Sequence, residues 1–120
     1  MTKLLLAAAF FLAAAGPVVA QGGPTFYVGT DAVAPLVPGP GGILVGTGRH
    51  QNAVTYNVIL TPVANKPGTY YASVIIDDEL STGTGGGFIG TNASGLFGRG
   101  QGFVTVKGFS GGRGFDFTVR

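Results

Sequence analysis

The chain has no cysteine and no tryptophan, a single histidine, and only twelve Asp, Glu, Lys and Arg side chains in 120 residues. Each shortage removes a class of protein. Without cysteine there are no disulfides to staple a small exported fold, no thiolate metal site and no cysteine nucleophile. One histidine, His50, rules out a multi-histidine zinc centre. The charge balance is also slight, +2 at pH 7. Lys3 accounts for one unit of it, and the sequence pI of about 9.2 therefore points to no polyanionic partner. Helix-forming patterns are scarce as well. After residue 20 no stretch carries apolar residues at three- and four-residue spacing, and glycine or proline interrupts most windows.

What is present begins with an export signal. Lys3 precedes an unbroken apolar run of twelve residues, Leu4 to Ala15, then the helix breakers Gly16 and Pro17. Val18-Val19-Ala20 supplies the small-residue pattern read by a signal peptidase, with Gln21 as the expected new N-terminus. A spanning helix needs about 20 apolar residues, so residues 1–20 read as a removable signal helix rather than an anchor. Their removal leaves one domain, residues 21–120. Its location is then exported: periplasmic, extracellular or on the cell surface.

The mature part reads as all-β. Val54, Tyr56, Val58 and Leu60 alternate with Thr55, Asn57, Ile59 and Thr61, which puts the first set on one face of a strand. After the turn-forming PVANKPG, Tyr70, Ala72, Val74 and Ile76 repeat the pattern, so residues 53–77 predict a hairpin at the centre of the fold. Further strands are expected at Phe26 to Gly29, Ile43 to Val45, Phe103 to Phe109 and Phe115 to Arg120. The intervening PLVPGPGG reads as an extended loop. In the last strand Phe115, Phe117 and Val119 face one way, and Asp116, Thr118 and Arg120 the other.

Gly83 to Gly102 holds nine glycines in twenty residues. It reads as thin strands whose Phe88, Ile89, Leu96 and Phe97 reach the core, because flexible linkers rarely carry so many large apolar side chains. The whole predicts a small antiparallel β-sandwich or barrel of five to seven short strands. Over ten residues PGTYYASVII resembles the Gly-Thr-Tyr strand of immunoglobulin-like bacterial surface modules, a likeness that carries no functional residue with it.

Several motifs invite a chemical reading. Gly108-Phe109-Ser110-Gly111-Gly112 fits G-x-S-x-G, and His50, Asp77 and Ser110 follow the chain order of chymotrypsin-like triads. A nucleophile elbow, however, needs a helix after the turn, and a strand-like FDFTVR follows instead. Residues 85–90 match G-x-G-x-x-G, again without the helix that would face a pyrophosphate. Asp77-Asp78-Glu79, the only charge cluster, is the one candidate calcium site. Neighbouring residues on an extended chain point apart, so a solvated turn that discourages edge pairing is the simpler reading. Arg99, Lys107 and Arg113 among Phe97, Phe103 and Phe115 are too few cations for nucleic acid in an exported protein. Asn92-Ala93-Ser94 is a glycosylation sequon.

No cofactor, catalytic residue or nucleic-acid partner is therefore expected, and no membrane span after signal cleavage. The expected role is a non-catalytic exported domain that binds a protein or surface glycan, or belongs to the envelope or cell surface. A self-assembling glycine-rich fibre or matrix protein is the alternative, since VTYNVIL and ASVII combine β-propensity with few charges. A serine hydrolase stands last.

Overall fold

The structure, a computed structural model, describes residues 23–51 and 53–120; the expected signal helix lies outside the described residues. Nine strands occur among them: β1 Thr25–Val28, β2 Asp31–Pro35, β3 Val37–Pro38, β4 Leu44–His50, β5 Val54–Pro62, β6 Tyr70–Asp77, β7 Ser81–Asn92, β8 Gly95–Val106 and β9 Arg113–Val119. They form one antiparallel sheet in the order β2-β1-β9-β8-β7-β6-β5-β4-β3. The two end strands, β2 and β3, are consecutive in the chain and separated only by Leu36. Residues 31–38 thus pair with β1 on one side and with β4 on the other. β2 also packs along β4. The sheet curls into a nearly closed barrel.

Glycine permits that closure. A Cβ on Gly46 would lie 2.6 Å from the Pro35 carbonyl oxygen and 2.8 Å from Leu36 Cδ2, and one on Gly48 would strike the Val33 carbonyl. With no side chain at either position, β4 can approach the residue 31–38 segment closely.

The interior is apolar and filled. Phe26, Leu36, Tyr56, Val58, Leu60, Val74, Ile76, Ile89, Phe117 and Val119 are all buried there. The expected hairpin stands at its centre, with Val58 opposite Val74 and Leu60 opposite Ala72. On β7 and β8 the inward register positions include the facing pairs Gly85–Gly102 and Ile89–Gly98. Rings from β9 occupy the space these glycines leave. Phe115 is opposite Gly102 and Phe117 opposite Gly100, and a Cβ at either glycine would collide with its partner ring.

Of the two expected architectures, sandwich or barrel, the barrel is the one found: a single curled antiparallel sheet rather than two face-packed sheets. Three expectations need correction. There are nine strands among the described residues rather than five to seven, and β7 and β8 run twelve residues each. PLVPGPGG is only partly a loop, because residues 35–38 carry the end of β2 and all of β3, with a 3₁₀ turn at Pro40–Gly42. Proline is tolerated there because these strands sit at the ends of the sheet's hydrogen-bonded order. Finally, Ile89 is fully buried and Leu96 packs on the core, but Phe88 and Phe97 face outward. Adjacent residues on a strand cannot share a face.

Candidate functional site

The meander sorts the turns to two ends of the barrel. At one end β1, β4, β6 and β8 finish and β2, β5, β7 and β9 begin. The candidate triad and the acidic cluster sit at this end: His50 closes β4, Asp77 closes β6, Asp78 and Glu79 form the following turn, and Ser110 lies in the β8–β9 loop.

Proximity to one end does not make them a triad. His50 Nδ1 is 3.6 Å from Asp31 Oδ2 and is buried without a hydrogen-bond partner, while its ring stands edge-on to Tyr56. Asp77 pairs with Lys107 at 3.0 Å. Ser110 is exposed in its loop. No hydrogen bond joins any two of the three among the described residues.

The acidic cluster is committed to local structure. Asp78 accepts hydrogen bonds from the backbone N–H groups of Thr55 at 2.9 Å, Leu80 at 2.9 Å and Ser81 at 2.7 Å. It thereby ties the β6–β7 turn to the start of β5. The Thr55 amide, chiefly, holds the Asp78 carboxyl below its ordinary value; desolvation opposes it, and the Leu80 and Ser81 amides and Arg49 add to the lowering. Glu79 is exposed. Among the described residues no three His, Cys, Asp or Glu side chains converge to hold a metal ion.

The basic–aromatic set is dispersed in the same way. Phe97, Arg99 and Phe103 face outward on β8, Lys107 and Arg113 stand at the mouth, and Phe115 points inward. Asn92 of the sequon accepts a hydrogen bond from the Ser94 amide at 2.8 Å in the exposed β7–β8 turn.

What this end does contain is a cleft of about 460 Å³. Its lining includes Val54, Val104, Val106 and Phe109, with Ser81, Thr105, Gly111, Gly112 and Arg113. The register explains it. Val54, Ser81, Val106 and Arg113 occupy the outermost inward-phase positions of β5, β7, β8 and β9, with Val104 opposite Arg113. One step deeper, Tyr56 and Phe115 meet edge-to-face at 5.4 Å and block the interior. Burial among these rings raises the pKa of the Tyr56 hydroxyl. The barrel is therefore open at the mouth and solid below it. Ser81 is the one buried polar side chain among the described residues.

A second groove of about 700 Å³ lies along β8 and β9, lined by Arg99, Gln101, Asp116 and Thr118 beside Gly86 and Gly100. It is polar and follows the barrel wall. Among the described residues no helix is long and apolar enough to cross a membrane. No protein-family model, curated protein or solved structure matches the chain.

Proposed function

We propose that the mature protein is an exported, non-catalytic binding module that engages its ligand at the barrel mouth. The observation that carries this reading is the combination of a filled interior with an apolar cleft at one end. Ligand sites are commonly concave and apolar with a few placed polar groups, and 300–1,000 Å³ is the usual order of size. Such a lining suits an apolar group, from a small molecule or a protein side chain, better than a polyhydroxylated glycan.

Self-assembly through the glycine-rich segments is the weaker reading. β7 and β8 are paired on both sides inside the sheet, so they offer no free edge for a second copy to extend. Hydrolysis is weaker still, because Ser110 has no base beside it.

The neutral fluorophore N-phenyl-1-naphthylamine tests the binding reading. Its emission should rise with the secreted protein and fall back for Val106→Glu combined with Phe109→Ser. Both positions are more than half exposed, so the changes spare the core. Emission that never rises, or is indifferent to the pair, would remove the mouth as the site. Intact mass tests export separately: secreted material should begin at Gln21, and a chain retaining Lys3 to Ala15 would contradict it.

A further inference from the structure

The cleft carries one charge that nothing in the fold uses. Arg113 is the first residue of β9 and lies opposite Val104. It is in phase with Phe115, Phe117 and Val119, so its side chain leaves the strand on the inward side, over the mouth. Its neighbours, Gly112 and Gly114, have no side chains to cover it. Among the described residues it makes no ion pair. Lys107, the other cation on this loop, is neutralised by Asp77 at 3.0 Å. The remaining acids of this end are placed elsewhere: Asp31 faces His50, Asp78 is held by three amides, and Glu79 does not line the cleft. An apolar cleft with one unpaired guanidinium at its rim is complementary to an apolar molecule with one anionic end. The planar fork of arginine matches a carboxylate in particular.

We infer that the mouth takes a small amphiphilic monocarboxylate, its apolar body between Val54, Val104, Val106 and Phe109 and its carboxylate on Arg113. Ser81, in the inward phase of β7, adds a hydroxyl-bearing side chain to the same lining. This inference rests on the binding reading above and specifies its ligand class. Arg113 is exposed, so its contribution is screened by salt. A charge-assisted pair at such a site is worth about a tenfold difference in affinity.

Calorimetric titration of the secreted protein with octanoate, 1-octanol and octylammonium separates the possibilities. Octanoate should bind about tenfold more tightly than octanol, octylammonium most weakly, and the octanoate advantage should shrink as ionic strength rises. Arg113→Gln should abolish that advantage and leave octanol binding unchanged. Arg113→Lys, which keeps the charge but not the fork, should retain part of it. A thermal melt matching the wild type confirms that each variant is folded. Equal binding of octanoate and octanol, or an advantage that survives Arg113→Gln, overturns the carboxylate inference while leaving the mouth as an apolar site. Failure of all three ligands, together with a silent naphthylamine assay, overturns the binding reading and this inference with it.

Discussion

The ring of Phe117 fills the volume that a side chain on Gly100 would need, and the two residues are direct cross-strand partners. Phe115 stands in the same relation to Gly102, and its ring also meets the space above Gly85. Glycine and aromatic together fill one site, with the ring supplying the apolar surface and the glycine the room for it.

The pairing predicts a cost for the smallest possible addition. Gly100→Ala should destabilise the barrel by about 1–3 kcal/mol through overpacking. Combining it with Phe117→Leu should cost less than the sum of the two single changes, because the smaller side chain relieves the clash with the ring and leaves only that with the Gly86 carbonyl oxygen. Urea denaturation of the four proteins provides the measurement. A neutral Gly100→Ala would mean that the ring does not lie where the structure places it.

The hairpin register gives a paired test. Val58 is buried and Ile59 is 42% exposed on the outer wall. Val58→Ala should cost roughly 1–3 kcal/mol from lost burial and incomplete collapse. Ile59→Thr should change stability by no more than about 0.5 kcal/mol. Sliding the strand by one residue would exchange the two outcomes, so the comparison reads the register as well as the burial.

That hairpin was legible because residues 54–60 and 70–76 contain no glycine and alternate cleanly. The neighbouring strands were harder to count. In β7 and β8 the inward positions are largely glycine, and the apolar surface that should mark the face comes from Phe115 and Phe117 on another strand. A pattern shared between strands leaves little trace within either one. Residues 35–38 were hidden for a different reason: Pro35 and Pro38 look like loop residues until the sheet ends at them. The mouth was partly legible. The phase Phe115, Phe117, Val119 extends back by one step to Arg113, and Val104 and Val106 alternate with Phe103 and Thr105. What no spacing could reveal is that Lys107 is neutralised by Asp77 and Arg113 is not.

Asp78 makes stability depend on acid. Its folded pKa is depressed below the ordinary value of 3.8, chiefly by the Thr55 amide. A depressed carboxyl contributes stability above its unfolded pKa and loses it as pH falls through the folded pKa. Stability should therefore hold near neutrality and decline as pH drops below about 3.8. Asp78→Asn should be less stable than the wild type at pH 7, and the gap should narrow in acid. Urea midpoints at pH 7 and pH 3 provide the check. A gap that is constant with pH would show that the carboxylate charge contributes nothing.

The last expectation concerns chemistry at the same end of the barrel. His50→Ala, Asp77→Asn and Ser110→Ala should each leave binding of the neutral naphthylamine probe at the mouth essentially unchanged, and a fluorophosphonate probe should not label Ser110. A serine nucleophile needs a base within about 2.6–3.2 Å and a third group orienting that base. Here His50 turns to Asp31 and to the edge of Tyr56, and Asp77 is occupied by Lys107. Ser110 lies in an exposed loop beside Gly111, a residue at φ +84°. About an ångström of misplacement costs on the order of a hundredfold in rate, and nothing in this loop fixes the hydroxyl that closely. Stoichiometric labelling of Ser110, abolished by His50→Ala, would require the loop to close onto His50 and would replace the binding module with an enzyme.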